Sequence, residues 1–171
     1  MQKVYGLIDQ LAQVDSTVVA LLLDADGKIV DAYIDAVQSK MPFTAAGTLG
    51  SGFPADVKTK LEQGADYGMS KVSKVGEWDA QIAAFRAYIL GKTVAEVQGI
   101  AVDDATHPTD ADLTAGCTMA IGDYVAGVVA AAEAAKPVSS AATDKVGVGI
   151  VVTTEKSKDA ADGKDGLAQA Y

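Results

Sequence analysis

Apolar and β-branched positions near the start of the chain predict a β-hairpin. Residues 16–23 (STVVALLL) are β-branched and apolar, and residues 28–37 (KIVDAYIDAV) alternate between apolar and polar side chains for much of their length. Between them, residues 24–27 (Asp-Ala-Asp-Gly) carry the Asp-Gly signal of a tight turn. Because residues 16–23 are apolar on both faces of a strand, we expect this first strand to lie centrally in a sheet.

Apolar residues at helical spacing predict a helix in the middle of the chain. Its stripe consists of Trp78, Ile82, Phe85 and Ile89, at successive spacings of four, three and four. Gly91 is expected to end this helix. Thr93 and Glu96 predict a capping box for a short helix that closes before Gly99.

Three more elements follow from local patterns. Residues 55–63 predict a short polar helix, and residues 124–136 predict a longer helix with Asp123 as its N-cap. Alternation over residues 117–121 predicts a short strand. The same alternation directs the side chain of Cys117 inward, as a small core residue.

The predicted fold is two-layer α/β (α+β), a mainly antiparallel sheet with helices packed over it. The sheet is expected to contain residues 16–23, 28–37, 117–121 and 145–154. A chain of 171 residues that is 49% hydrophobic can bury one good core. Residues 1–137 are expected to form the main module, residues 138–144 a linker, and residues 145–171 the opening strand of a repeated module.

The charge, hydropathy and cysteine content of the chain exclude nucleic-acid and membrane partners and an intrachain disulfide. The chain has 23 acidic and 14 basic residues and a net charge of -9. Such a surface repels phosphodiester backbones and anionic lipids, so we expect no nucleic-acid partner and no peripheral binding to membranes. No apolar run approaches the roughly 18 residues that span a bilayer, so direct membrane insertion is not expected. A single Cys cannot form an intrachain disulfide.

Known metal and nucleotide patterns do not fit the polar loops. An EF-hand at residues 24–27 fails because its glycine comes two positions too early, and a P-loop ending at Thr93 fails because Arg86 replaces the first glycine. The acidic residues around His107, within residues 103–112, match no metal-cage spacing. No Ser/His/Asp set or carboxylate pair is evident, so the sequence predicts no metal site and no hydrolase.

The most informative segment is residues 112–118 (Asp-Leu-Thr-Ala-Gly-Cys-Thr), which gathers hydroxyls, a sulfur and a turn residue ahead of an apolar helix. Helix starts present unpaired N–H groups and a partial positive charge, to which phosphate binds readily. The candidate cofactor-binding residues are Asp112, Thr114, Gly116, Cys117 and Thr118.

This segment resembles the attachment motif of FMN-binding-type domains, which occur in extracytoplasmic electron-transfer proteins. In that family an Asp precedes a Ser/Thr-Gly-Ala-Thr run, and the last Thr carries FMN through a phosphoester bond. Asp112, Gly116 and Thr118 fall on motif positions, whereas Ala115 and Cys117 stand where the family has Ser/Thr and Ala. The resemblance implies FMN attached to Thr118, in an electron carrier that serves a redox partner protein and is not itself a catalyst.

The two ends of the chain contain similar short segments. Residues 3–6 resemble residues 145–149, and residues 9–14 resemble residues 165–170, in the same order. This resembles tandem-module, Gram-positive lipoprotein-like members of the family, which implies an extracellular or cell-surface location with the signal peptide absent from this sequence. We expect the terminal strand to complete a sheet, either its own or that of a neighbouring subunit in a strand-exchanged homo-oligomer.

Three functions are therefore open at the level of sequence. The first is an extracytoplasmic FMN-binding-like electron carrier. The second is a cofactor-free surface lipoprotein module that binds a ligand or partner. The third is a structural protein that assembles through its terminal strand.

Overall fold

The computed structural model describes residues 10–44, 48, 57–138 and 147–152. Over these residues, helices pack against a two-stranded antiparallel sheet, which confirms the expected α+β class. The chain divides into two compact units: the first takes in Met1–Ser16, Ala36–Glu62 and Gly149–Tyr171, and the second Thr17–Asp35 and Gln63–Val148. Most of the predicted linker lies outside the described residues, so the predicted module boundaries stay predictions.

The sheet is the predicted hairpin. It consists of β1, Gln10–Leu23, and β2, Ile29–Phe43. In the turn between them, the Asp24 carboxylate accepts hydrogen bonds from the backbone N–H groups of Asp26 at 2.9 Å and Lys28 at 2.8 Å. Gly27 has a φ of +73°, a conformation that glycine adopts without steric cost. The Asp-Gly turn therefore forms for the reason that its sequence indicates.

The expectation that the first strand is central was wrong. None of the residues 11–23 of β1 is buried, whereas Ile29, Ala32 and Ile34 of β2 are. β2 is the more buried strand, and its backbone forms hydrogen bonds on the edge that faces away from β1 as well as on the edge that pairs with β1. The Ile29 N–H donates to the Lys92 carbonyl at 2.9 Å, and the Arg86 Nε donates to the Ala32 carbonyl at 2.6 Å. The apolar character of β1 reflects β propensity and partial burial rather than a central position.

Five α-helices occur in the part of the chain that the structure describes. They are α1, Lys60–Gln63; α2, Trp78–Ile89; α3, Val94–Gln98; α4, Ala111–Thr114; and α5, Gly122–Glu133. Short 3-10 turns span Gly64–Tyr67 and Met69–Lys71. The predicted helix over residues 78–89 and the short helix after Thr93 are thus confirmed. The helix predicted over residues 124–136 is observed as Gly122–Glu133.

The helix expected over residues 55–63 is much shorter in the structure. Residues 55 and 56 lie outside the described residues, and Thr59 caps the helix that begins at Lys60. The Thr59 N–H donates to Glu62 Oε2 at 2.8 Å, and the Glu62 N–H donates to Thr59 Oγ1 at 3.1 Å. This reciprocal capping box fixes the start of the helix at Lys60.

α2 provides the central part of the core of the second unit. Its predicted stripe is buried as expected: Trp78, Ile82, Phe85 and Ile89 are each at most 1% exposed. Gly91 follows with a φ of +76°. The Thr93–Glu96 capping box is present, so α2 ends and α3 begins where the sequence predicts.

The predicted N-cap of the last helix was wrong. α5 begins at Gly122, its N-cap is Ile121, and Asp123 lies inside the first turn without a capping hydrogen bond. A Cβ on Gly122 would lie only 3.1 Å from Thr106 Cγ2 and Oγ1. Glycine fits at this close approach, and the helix starts two residues earlier than the carboxylate signal indicates.

Two predicted strands are not observed. Residues 117–121 form no strand, and neither do residues 147–152, the described part of the predicted strand over 145–154. In the latter stretch Gly147 and Gly149 lack the side chains that stabilise a strand by packing. Residues 3–6 and 165–170 lie outside the described residues, so strand completion and subunit exchange stay predictions. Among the described helices, none is long and apolar enough to cross a bilayer.

A close approach of α5 to β1 gives a prediction about packing. A Cβ on Gly127 would lie 2.6 Å from Val19 Cγ2. We expect Gly127→Ala to destabilise the protein by roughly 1–2 kcal/mol, because the stiff Val side chain cannot move away easily. In a Val19→Ala background the same change should stabilise by about 0.5–1 kcal/mol, since alanine favours helix over glycine.

Urea unfolding of the four proteins in this double-mutant cycle measures the reversal. Equal effects of Gly127→Ala in both backgrounds would contradict the predicted contact.

Candidate functional site

The candidate segment starts on a short helix that is fixed by its own cap. The Asp110 carboxylate accepts hydrogen bonds from the N–H groups of Asp112 at 2.9 Å and Leu113 at 3.3 Å. Leu113 is 1% exposed and anchors α4 in the core. Asp112 and Thr114 lie on this helix, with Asp112 exposed and Thr114 half-buried. The Thr114 hydroxyl donates to the Ala111 carbonyl at 3.2 Å, within the same helix.

The rest of the segment alternates between the core and solvent. Gly116 is half-buried, Cys117 is fully buried and Thr118 is exposed. The expected inward direction of Cys117 is therefore confirmed. Of the two threonines in this segment, Thr118 is the exposed one.

A residue that the sequence did not single out holds this segment in place. Gln81 of α2 is fully buried, and its side-chain oxygen accepts hydrogen bonds from the backbone N–H groups of Thr118 at 3.0 Å and Met119 at 3.2 Å. The Thr118 hydroxyl lies 3.4 Å from the same oxygen. In a strand, neighbouring N–H groups point to opposite edges, so two successive N–H groups bonded to one oxygen are incompatible with a strand over residues 117–121.

The other end of the Gln81 amide is equally well bonded. Its Nε2 donates to the Gly76 carbonyl at 3.0 Å and to Ser73 Oγ at 2.9 Å, and lies 3.1 Å from Met69 Sδ. Burial of an amide is costly unless its groups are hydrogen-bonded. Here both ends are satisfied, so a single side chain joins α2, the loop around residues 69–76 and the segment that carries Thr118.

Glu77 organises the loop that receives Gln81. Its carboxylate accepts hydrogen bonds from the Ser70 hydroxyl at 2.6 Å, the Ser70 N–H at 3.0 Å and the Met69 N–H at 2.7 Å. The Ser70 hydroxyl, aided by these N–H groups, lowers the pKa of Glu77. These hydrogen bonds from Met69 and Ser70 to Glu77 hold the loop in one conformation, independently of Gln81.

Gly116 allows the segment to approach α2 closely. A Cβ at this position would lie 2.8 Å from Ala84 Cβ, closer than two such atoms can pack. Gly116, a motif position, is therefore required here for packing between the segment and the helix. That role explains the residue without any cofactor.

Cys117 and Tyr124 belong to a buried cluster next to this segment. The Trp78 Nε1–H donates to the Tyr124 hydroxyl at 3.0 Å, and their rings are edge to face with centroids 6.1 Å apart. Burial raises the pKa of Cys117 to about 11 and that of Tyr124 to about 12. A thiol with such a pKa is protonated at neutral pH, so Cys117 is a packing residue rather than a nucleophile.

Asp112, the first motif residue, influences a different neighbour. Burial, followed by the negative charges of Asp110 and Asp112, raises the pKa of Tyr88. Lys92 Nζ lies 4.5 Å from the centre of the Tyr88 ring. In the described part of the chain, Asp112 acts on Tyr88, whereas Thr118 bonds to Gln81.

The acidic loop around His107 is a hydrogen-bonded turn. One oxygen of Asp103 accepts from the N–H groups of Ala105 at 2.9 Å and His107 at 2.8 Å, and its other oxygen lies 3.1 Å from His107 Nδ1. Over residues 10–44, 48, 57–138 and 147–152, no three His, Cys, Asp or Glu side chains are grouped so as to hold a metal ion.

Comparison with known proteins adds no relative. No protein-family model matches the chain, and no curated protein or solved structure matches it either. The resemblance to FMN-binding-type domains therefore rests on sequence alone, on the 112–118 segment and the similar segments at the two ends of the chain, and flavin attachment remains a proposal.

The close approach at Gly116 leads to a testable prediction. We expect Gly116→Ala to destabilise the protein by about 1–3 kcal/mol, because the added methyl overlaps Ala84 and forces the segment away from α2. Gly99→Ala is the matched control, since a Cβ there lies at an ordinary 3.5 Å from its nearest neighbour. Thermal unfolding compares the two variants. Equal melting temperatures would contradict the packing role of Gly116.

The buried Tyr124 predicts a loss of stability at alkaline pH. Its pKa rises from 10.0 to about 12, so the folded state favours the neutral phenol. This contribution is complete below pH 10.0 and is lost as the pH rises towards about 12. A shift of this size corresponds to roughly 2–3 kcal/mol.

Urea unfolding across this alkaline range, compared between the protein and Tyr124→Phe, isolates the contribution of the phenol. The fall in the free energy of unfolding should be smaller in Tyr124→Phe. Identical pH profiles for the two proteins would show that Tyr124 ionises as freely in the folded state as in the unfolded one.

Proposed function

We propose that the protein is an extracytoplasmic FMN-binding-like electron carrier whose Thr118 holds FMN through a phosphoester bond. The observation that carries the proposal is the placement of Thr118. Thr118 is exposed, while its backbone N–H donates a hydrogen bond to Oε1 of the buried Gln81 at 3.0 Å. A covalent attachment point needs both properties, because a transferase must reach the hydroxyl and the attached group must then be held in a defined place.

Thr118 supplies the hydroxyl that this attachment requires. The hydroxyl oxygen forms a bond to the phosphorus of an activated flavin phosphate, the bond from phosphorus to its leaving group breaks, and the hydroxyl proton departs with the leaving group or to solvent. The mass of the protein therefore rises by that of one FMN less one water. When bound, the flavin would supply the redox chemistry, and the chain would supply its position and surroundings.

The chain itself contributes rigidity to the site. Cys117 packs in the core on one side of Thr118, and the Met119 N–H bonds to Gln81 on the other. The proposed carrier role requires a redox partner protein and no catalytic residue in this chain. The motif departure at Cys117 is accommodated, because its small buried side chain occupies the position as an alanine would.

One observation favours a second function, a cofactor-free surface module that binds a ligand or partner. The N–H groups of Thr118 and Met119 are already bonded to Gln81, so they are not available to a phosphate. In a cofactor-free descendant of an FMN-binding domain, this bond would stabilise the segment in place of the flavin. A colourless protein would favour this second function.

The attachment is tested by incubating the protein with a flavin transferase and an activated flavin donor. We expect the intact mass to rise by one FMN less water, with yellow absorbance that persists after denaturation. Thr118→Ala should abolish both changes. Thr109→Ala is the matched control, because Thr109 is another exposed threonine that lies outside the candidate segment, and it should leave the mass gain intact.

An unmodified mass for the protein under conditions in which a known acceptor domain is modified would contradict the proposal. So would a mass gain that persists in Thr118→Ala, since the flavin would then be attached elsewhere.

A further inference from the structure

We infer that Gln81 is a positioning residue, which orients the Thr118 hydroxyl for flavin attachment; this inference rests on the proposed function. Gln81 is the one buried polar residue of α2. Its Oε1 faces three groups of the acceptor segment: Thr118 N at 3.0 Å, Met119 N at 3.2 Å and Thr118 Oγ1 at 3.4 Å. Two of the three belong to Thr118, so one oxygen restrains both its backbone and its side chain.

The orientation of the Gln81 amide is determined by its surroundings. Its NH2 group faces the Gly76 carbonyl, which can only accept, while its oxygen faces two backbone N–H groups, which can only donate. A flipped amide would place donors against donors at Thr118 and an acceptor against an acceptor at Gly76. Gln81 therefore directs its oxygen, and not its NH2 group, to the segment that carries Thr118.

This acceptor determines how the hydroxyl can react. When the Thr118 proton points to Gln81 Oε1, the lone pairs of Thr118 Oγ1 face away from Gln81 and are free to attack a phosphorus atom. Attack forms the oxygen–phosphorus bond and breaks the bond from phosphorus to the leaving group of the activated flavin phosphate, while the hydroxyl proton passes to a base of the transferase or to solvent, because the Gln81 amide cannot take it. Restraint of a nucleophile before reaction lowers the entropic part of the barrier.

The same contact distinguishes the two threonines of the segment. The Thr114 hydroxyl donates to the Ala111 carbonyl inside α4, whereas the Thr118 hydroxyl faces a side chain that is fully buried. A buried side chain that is hydrogen-bonded at both ends, as Gln81 is, keeps a reactive group in one geometry more reliably than a contact within the four-residue helix α4. Gln81 thus supplies a structural reason for attachment at Thr118 rather than Thr114.

The test uses two substitutions of Gln81 and one matched control. Gln81→Met keeps a long unbranched side chain but cannot accept the hydrogen bonds, whereas Gln81→Glu keeps an oxygen that faces Thr118 and Met119. Ile82→Val is the control, because Ile82 is the next residue of α2 and is 1% exposed, yet it takes no part in these hydrogen bonds.

Two readouts are needed for each protein. The first is the transferase-dependent rate of mass gain, with the protein itself as the varied substrate so that kcat and KM are separated. The second is amide hydrogen exchange at Thr118 and Met119, which is measured without flavin. Thermal unfolding confirms that each variant is folded at the assay temperature.

We expect Gln81→Met to lower kcat for attachment by about tenfold to a hundredfold with little change in KM. Exchange at Thr118 and Met119 should become at least about tenfold faster in this variant, because the two N–H groups lose their acceptor. Gln81→Glu should retain more of the rate and of the protection than Gln81→Met, because one oxygen still faces Thr118 and Met119 although the other meets the Gly76 carbonyl. Ile82→Val should resemble the unaltered protein in both.

Attachment at the unaltered rate in folded Gln81→Met would overturn the positioning role of Gln81 while the proposed function stands. Equal losses in Gln81→Met, Gln81→Glu and Ile82→Val would also overturn it, because the effect would then follow from destabilisation of α2. Absence of attachment in the unaltered protein would overturn the proposed function, and the positioning role with it.

Discussion

The arrangement of the second unit depends on one buried amide, that of Gln81. A buried amide without partners costs about 1–3 kcal/mol, so its position in the core is stable only because both ends are hydrogen-bonded. Its oxygen bonds Thr118 and Met119, and its nitrogen bonds Gly76 and Ser73. The loop before α2 and a segment 37 residues beyond Gln81 are thereby fixed to the same helix. The placement of the exposed residue Thr118 is a direct consequence.

The apolar stripe of α2 makes this arrangement possible. Trp78, Ile82, Phe85 and Ile89 are at most 1% exposed, and they set the face of α2 from which Gln81 extends. On the same helix, Arg86 donates to the Ala32 carbonyl of β2 at 2.6 Å. The close approach at Gly116 then brings the candidate segment within reach of Gln81. Hydrophobic burial thus positions the helix, and a small number of polar contacts fix the surface segment on it.

Local sequence signals predicted the local structure well. The Asp-Gly turn, the α2 stripe and the Thr93–Glu96 capping box all formed as expected, because each depends on residues close in sequence. The errors at residues 16–23 and 117–121 concerned partners distant in sequence. Nothing in the pattern of residues 117–121 indicates that Gln81 bonds the N–H groups of Thr118 and Met119, and nothing in residues 16–23 shows that β2 is the covered strand. The start of α1 at Lys60 depends instead on a local capping box, Thr59 with Glu62, which was not predicted. In the motif, the inward direction of Cys117 was predictable by alternation, whereas the bonds between Gln81 and Thr118 were not.

The central proposal is that Thr118, which is hydrogen-bonded to the buried Gln81 amide, carries flavin. The location of the flavin tests this proposal most directly. We would digest the transferase-treated protein with a protease and sequence the yellow peptide by tandem mass spectrometry. We expect a single FMN ester, on Thr118. Flavin on Thr114 or on another hydroxyl, or the absence of any yellow peptide, would contradict it.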